Sequence, residues 1–153
     1  MFGLVVSIVA LQTIVVWPQT SPISQLKIKS VTAKLYYSNS GTFSENILDK
    51  PDMALWNTII GEGASGGPSE ATLIEVEVDG KPNTNGYERL NITAQAKGKP
   101  PIGRHNDTLY FKENGKYFAA VWLYDFGCLP VTITAQLGNQ PAVKKKIDFE
   151  CGE

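Results

Sequence analysis

The chain has few of the side chains that most often bind zinc or act as a general base. Among its 153 residues there is one histidine, His105, and there are two cysteines, Cys128 and Cys151. A tetrahedral zinc site needs four ligands, so these three residues cannot complete a Cys/His zinc site by themselves. We therefore expect neither a metal site nor a cofactor.

The chain also lacks an excess of positive charge. It contains 14 Lys and Arg against 15 Asp and Glu, which gives a formal net charge of −1. A nucleic-acid-binding surface needs an excess of basic side chains, so we expect no nucleic-acid partner. With 42% hydrophobic and 19% charged residues, the composition is typical of one globular domain and excludes a collagen-like or disordered chain.

The first seventeen residues, Met1–Trp17, have no charged side chain, and the first basic residue is Lys27. Pro18 and Pro22 then break any helix begun upstream. We interpret residues 1–22 as a signal peptide, with an uncleaved membrane anchor or a packed core element as alternatives. Residues 23–153 then form a single domain that is secreted, periplasmic or on the cell surface. In this interpretation the protein contacts a membrane only through an uncleaved N-terminal segment.

Cys128 and Cys151 fit this export route. An even number of cysteines in an exported chain favours a disulfide bond between them. The alternative is a pair of buried free thiols in a cytosolic protein.

No stretch after the N-terminal segment has the pattern of a long amphipathic helix, and alternating apolar and polar residues predict strands instead. Leu26 and Ile28 have the opposite parity to Val31, which predicts a β-bulge near Lys29–Ser30. The chain is therefore expected to be all-β, an antiparallel two-sheet sandwich of about seven strands, immunoglobulin-like or transthyretin-like. The predicted strands are Val31–Tyr37, Ile74–Asp79, Leu90–Ala96, Thr108–Lys112, Tyr117–Tyr124, Val131–Leu137 and Val143–Phe149.

Two features of this pattern predict how strands connect. Asn114 and Gly115 form a two-residue turn signal, typical of a hairpin, between Thr108–Lys112 and Tyr117–Tyr124. In the last hairpin, matching the apolar faces pairs Val131 with Phe149, so that the numbers of each facing pair sum to 280.

The stretch Ser38–Pro68 is too long for a simple connection and is expected to hold structure of its own. Asp52 is placed to cap a short helix over Met53–Thr58 that ends at Gly61. The stretch could function as a lid over one end of the sandwich.

The segment from Glu45 to Asp79 is strongly acidic, with eight acids and one base, which gives −7. Such a segment could bind calcium or steer a partner, or its charges could be neutralised by bases elsewhere in the fold.

The glycine-rich loop Gly61–Pro68 contains the letters of nucleotide-binding and serine-nucleophile motifs, with Ser65 at the nucleophile position. Both motifs need a helix directly afterwards, whereas a strand pattern follows here. Gly63–Pro68 also resembles a stretch of chymotrypsin-like proteases, but no histidine precedes Ser65. His105 is interpreted as a loop residue. We expect no enzyme, and a small serine hydrolase using Ser65 and His105 is only a third hypothesis.

Aromatic side chains are the remaining candidates for recognition. If Tyr117 and Val121 face the core, then Phe118, Trp122 and Tyr124 face outward, either beneath the long loop or on an exposed binding face. The sequence favours a non-catalytic protein-interaction or cell-surface structural module with a protein partner. The alternative is a carbohydrate-binding module with a polysaccharide partner. The candidate ligand-binding residues are Trp56, Trp122, Tyr124 and Tyr36.

Overall fold

The computed structural model describes residues 26–50, 55–56, 62–63, 69–124 and 129–150. Within these ranges the fold is all-β, with thirteen strands and one 3₁₀ helix over Ile47–Asp49. All seven predicted strands have observed counterparts. The strands are β1 (Lys27–Tyr37), β2 (Thr42–Phe43), β3 (Leu55–Trp56), β4 (Glu62–Gly63), β5 (Ala71–Asp79), β6 (Thr84–Gly86), β7 (Leu90–Ala96), β8 (Ile102–Asn106), β9 (Leu109–Phe111), β10 (Lys116–Tyr124), β11 (Val131–Leu137), β12 (Val143–Ile147) and β13 (Phe149–Glu150).

The first large sheet has the strand order β10-β5-β1-β2, and all its pairs are antiparallel. The register between β1 and β5 shifts between Ile28 and Ser30, which confirms the bulge predicted from the change of parity. The shift keeps Ile28 and Val31 on the same, inward side of the sheet although three positions separate them.

The second large sheet has the order β12-β11-β7-β8 and is also antiparallel. Residues of β7 and β11 alternate between buried and accessible, as their period-two sequences predict. Two small sheets, β6-β9 and β13-β3-β4, complete the pairing among the described residues.

The inward faces of the two large sheets contribute to one hydrophobic cluster. Because every second side chain of the central strands is apolar, each sheet presents one continuous buried face to this cluster. The main residues from the first sheet are Val31, Ala33, Leu35, Ile74, Val76, Val78, Ala119, Val121 and Leu123. Those from the second are Leu90, Ile92, Ala94, Ala96, Val131, Ile133, Ala135, Leu137 and Ile147.

The predicted register of the last hairpin is wrong by two residues. Val131 pairs with Ile147 rather than with Phe149, so the facing numbers sum to 278. A two-residue shift leaves every side chain on its face, so apolar matching alone could not distinguish the two registers. Phe149 instead belongs to β13, which pairs in parallel with β3.

The hairpin predicted around Asn114 and Gly115 is also wrong. A turn does form, since the Gly115 N–H donates to the Lys112 carbonyl at 3.0 Å. However, β9 pairs with β6, while β10 pairs with β5 in the first large sheet. The turn signal therefore located the change of direction but not the strand partners.

The long stretch Ser38–Pro68 does contain structure of its own: β2, the 3₁₀ helix, β3 and β4. The helix predicted over Met53–Thr58 is wrong where it can be checked, because Leu55–Trp56 is a strand paired with β4 and β13. The remaining residues of that prediction, including Asp52 and Gly61, lie outside the described residues. The observed 3₁₀ helix is capped earlier in the chain, where Asn46 Oδ1 accepts the Leu48 N–H at 3.3 Å.

Candidate functional site

Strand β10 places three aromatic side chains on the outer face of the first sheet. Phe118, Trp122 and Tyr124 are 50%, 36% and 57% exposed, whereas Val121 and Leu123 between them are buried. The predicted parity of this strand is confirmed. All three rings are accessible, and Trp122 also contacts Phe43 from the long stretch Ser38–Pro68.

Four aromatic rings meet at one end of this outer face, and we call Tyr36, Phe43, Trp122 and Tyr124 the aromatic cluster. The Tyr36 and Trp122 ring centroids are 5.9 Å apart with planes at 87°, an edge-to-face contact. The ring centroid of Phe43 lies 5.2 Å from that of Tyr36 and 5.9 Å from that of Trp122. Trp122 and Tyr124 are 6.2 Å apart and nearly parallel, at 18°. These separations lie within the range in which aromatic pairs attract one another.

The strand registers explain why the rings converge. Tyr36 of β1 and Tyr124 of β10 both pair with Ala71, which lies between them on β5 and is 1% exposed. A methyl side chain at that position leaves room for the rings on either side. Gly41, with φ +66°, then turns the chain so that Phe43 of β2 pairs with Tyr36.

The structure brings together three of the four predicted ligand-binding residues, Tyr36, Trp122 and Tyr124. The backbone of Trp56 is in β3, and its side chain lies outside the described residues. Phe43 was not among the residues that the sequence predicted to bind a ligand. The signal that could have found it is the turn Ser38–Gly41 directly after β1, because a tight turn there places Phe43 opposite Tyr36.

The outer face of the second sheet is different in chemistry, since it carries no Phe, Trp or Tyr side chain among the described residues. Its central strands present hydroxyl and amide groups, and its edge strand β12 adds lysines. The aromatic cluster is therefore confined to one of the two outer sheet faces. The outward polar residues of this face are Asn91, Thr93, Gln95, His105, Thr132, Thr134, Gln136, Lys144 and Lys146.

The acidic segment Glu45–Asp79 is partly neutralised by bases from other elements. Lys116 Nζ donates to Glu77 Oε1 at 2.5 Å, and Lys27 Nζ lies 4.0 Å from Asp79 Oδ2. The hydrogen bond from Lys116 holds the pKa of the Glu77 carboxyl below its usual value, and the same contact raises the pKa of Lys116. Among the residues that the structure describes, no group of three His, Cys, Asp or Glu side chains could hold a metal ion.

Of the two residues of the hydrolase hypothesis, only His105 lies in the described part of the chain. His105 is exposed on edge strand β8, where it pairs with Asn91. Its assignment to a loop is therefore wrong, because Ile102–Asn106 forms regular antiparallel pairs with β7. Ser65 lies outside the described residues.

Several other predictions also fall outside the described residues. Residues 1–22, Cys128 and Cys151 are among them, so the proposed leader and disulfide are not described. No helix in the described ranges is long and apolar enough to cross a membrane.

Comparisons with known proteins assign no family to this chain. No protein-family model matches it, and no curated protein is significantly similar to it in sequence.

Proposed function

We propose that the protein is an exported, non-catalytic β-sandwich module that binds a protein partner through the aromatic cluster. The single observation that carries this proposal is the meeting of four aromatic rings on an accessible sheet face, each in contact with Trp122 or, for Trp122, with the other three. Three of the four rings are at least one-third exposed. Aromatic residues are enriched in the cores of protein interfaces, where a few rings supply most of the binding energy.

The sandwich architecture is part of the proposal. Two four-stranded antiparallel sheets that contribute their inward faces to one hydrophobic cluster support an immunoglobulin-like or transthyretin-like arrangement. In such an arrangement the two outer faces remain free for recognition. Fold alone does not identify a function, so we infer binding from the aromatic cluster.

The surroundings of the cluster support a protein partner. A polar rim lies beside the rings, with Ser38 Oγ donating to Glu70 Oε1 at 2.5 Å and Lys34 half-buried on the same outer face of β1. An apolar centre bordered by polar groups is the usual anatomy of a protein interface.

A carbohydrate partner is the second candidate, and one observation favours it. Trp122 and Tyr124 have nearly parallel rings, at 18°, and both are accessible. Sugar rings stack on accessible aromatic faces, so this pair could support a polysaccharide chain.

The proposal also includes export of the protein and a disulfide bond between its two cysteines. Residues 1–22 serve as a signal peptide or anchor, and Cys128 bonds to Cys151 in an oxidising compartment. The intact mass of the mature protein tests both, because cleavage removes the leader mass and reduction of one disulfide adds two hydrogens.

The binding proposal is tested by titrating the protein with a panel of soluble polysaccharides while recording its amide NMR spectrum. A protein-binding module gives no saturable shift at Tyr36, Trp122 or Tyr124, whereas saturable shifts there establish the carbohydrate alternative. Tyr110, which is 63% exposed on β9, is the control position because it lies outside the aromatic cluster.

A further inference from the structure

Strand β1 has an open edge. On one side it pairs with β5, but on the other it pairs with β2 only at Tyr36 and Tyr37. Next to β2, side chains take the place of a strand: the Leu35 N–H donates to Ser44 Oγ and the Ala33 N–H donates to Asn46 Oδ1, each at 2.9 Å. Alternate N–H groups of a strand point the same way, so the N–H of Val31 also points to this side. No described strand pairs with it there.

A groove of about 370 Å³ lies beside this edge. It separates β1 from β12, which is the edge strand of the second sheet. The groove combines a strand edge, apolar side chains and charged groups in one cleft. Its walls include Ile28, Val31, Asn46, Asp49, Val143 and Lys145.

Lys145 is an exposed lysine beside this groove. It pairs with buried Ile133 and has the same parity as Val143 and Ile147, so its charged group is accessible next to the apolar residues of the groove. Within the described part of the chain, the side chain of Lys145 has neither an ion pair nor a hydrogen bond. The neighbouring acid, Asp49, accepts a hydrogen bond from Asn46 Nδ2 at 2.7 Å.

At the opposite edge of the two sheets, a basic side chain of one sheet forms a hydrogen bond with the backbone of the other sheet. Arg104 of edge strand β8 pairs with buried Ile92 and therefore has the same inward parity. Its Nη1 donates to the Ala120 carbonyl of β10 at 3.2 Å, so the chain itself bridges the two sheets there. On the β1–β12 side, the corresponding Lys145 lacks such a bridge among the described residues.

We propose that the β1–β12 groove binds an extended peptide strand of a partner protein, with an apolar residue and, two positions further, an acidic residue. A backbone carbonyl of the peptide accepts the Val31 N–H, the apolar side chain packs on Val143, and the carboxylate pairs with Lys145. Strand addition of this kind takes affinity from backbone hydrogen bonds and specificity from alternate side chains. This inference does not depend on the aromatic cluster.

The charges of the groove argue for an acidic peptide rather than a second copy of the chain. Edge-to-edge pairing of two copies would bring Lys29 and Lys145 of each copy close together. Lysines on edge strands disfavour such self-pairing. The same lysines attract a carboxylate. Lys145 therefore favours an acidic peptide over a second copy of the chain as the occupant of the groove.

The test uses the full chain and the blocked hexapeptide Thr-Val-Thr-Glu-Thr-Ser, titrated to millimolar concentration by amide NMR. We expect saturable shifts at Val31 and Val143 and slower hydrogen exchange of the Val31 amide. Lys145→Glu should weaken binding by about tenfold and favour the same peptide with lysine in place of glutamate. Lys146→Glu is the matched control, because Lys146 has outward parity and an ion pair with Asp148, and it should change affinity by less than about twofold.

Three results would overturn this inference. One is an unchanged Val31 amide at millimolar peptide. Another is equal binding of the glutamate and lysine peptides by the unaltered chain. The third is protection of Val31 that rises with protein concentration in the absence of peptide, which would identify a second copy as the occupant. Trp122→Ala alters the aromatic cluster and should leave peptide binding to the groove unchanged. Failure of the groove proposal is therefore distinguishable from failure of the proposed function.

Discussion

At the scale of single residues, Thr72 is the clearest departure from an apolar core. Its side chain is fully buried between Leu35 and Leu123 on the inward face, and its hydroxyl has no hydrogen-bond partner among the described residues. Leaving a buried hydroxyl unpaired costs about 1–3 kcal/mol. This residue therefore lowers the stability of the fold.

Thr72→Val should raise the free energy of unfolding by about 1 kcal/mol, because the methyl group removes an unpaired hydroxyl at almost constant volume. Chemical denaturation of both proteins measures the difference. Thr132→Val, at an exposed position of β11, is the control and should change stability little. A clear loss of stability in Thr72→Val would show that the hydroxyl has a partner.

Glu77 should make the stability of the protein depend on pH. Its pKa is lowered in the folded state by the hydrogen bond from Lys116, so its contribution is present above the usual value of 4.5. That contribution is lost as the pH falls through the lowered pKa, because protonation removes the charge that Lys116 pairs with. Glu77→Gln should therefore be less stable than the original protein at neutral pH and equally stable at strongly acidic pH. A stability difference that is constant from neutral to acidic pH would contradict this assignment.

At the scale of elements, the turn at Gly115 fixes the path between β9 and β10. Gly115 has φ +64°, and a Cβ there would lie 2.7 Å from the Gly80 carbonyl oxygen. The Gly80 N–H in turn donates to the Gly115 carbonyl at 2.8 Å, so the two backbones are held in close contact. This contact, rather than a hairpin, sets where β10 enters the first sheet.

Gly115→Ala should destabilise the fold by about 2 kcal/mol or more, because it combines a left-handed backbone with a backbone clash. Gly98→Ala is the matched control, since Gly98 has φ +77° but a Cβ added there would meet nothing within 4 Å. It should cost only about 1 kcal/mol. Equal losses for the two variants, measured by thermal or chemical unfolding, would show that the contact with Gly80 is unimportant.

Elements also show how far the sequence determines the fold. The strictly alternating strand Val131–Leu137 was predicted to the residue, and Leu90–Ala96 to within one residue, because the two faces of each strand have distinct environments. Edge strand Ile102–Asn106 was missed, since most of its residues are accessible and its pattern is not alternating. The last hairpin was placed two residues out of register because both registers bury the same face.

The candidate site was predictable in part because alternation along a strand determines which of its side chains share a face. Parity along β10 places Trp122 and Tyr124 on one outer face without any knowledge of the partners of the strand. Their meeting with Tyr36 and Phe43 depends on the order β10-β5-β1-β2, which is a non-local property. No local pattern in the sequence contains that order.

At the scale of the whole molecule, the two outer sheet faces divide the surface by chemistry. One carries the aromatic cluster, and the other presents hydroxyl, amide and lysine groups. The acids of Glu45–Asp79 are partly paired with lysines from other elements, so the charge asymmetry of the sequence is reduced in the fold. We therefore expect the partner of the proposed function to bind the face that carries the aromatic cluster, through apolar contacts with the rings.

That prediction is tested most directly by replacing Trp122 with a photoreactive benzoyl-phenylalanine and irradiating cells that produce the protein. The account predicts one discrete adduct with a partner protein, identified by mass spectrometry, which disappears when Tyr36→Ser and Phe43→Ser are added. The same photoreactive residue at Tyr110 or Thr93 should give no such adduct. An adduct of equal yield from the Thr93 face, or no adduct from position 122, would contradict the claim that the aromatic cluster binds a protein partner.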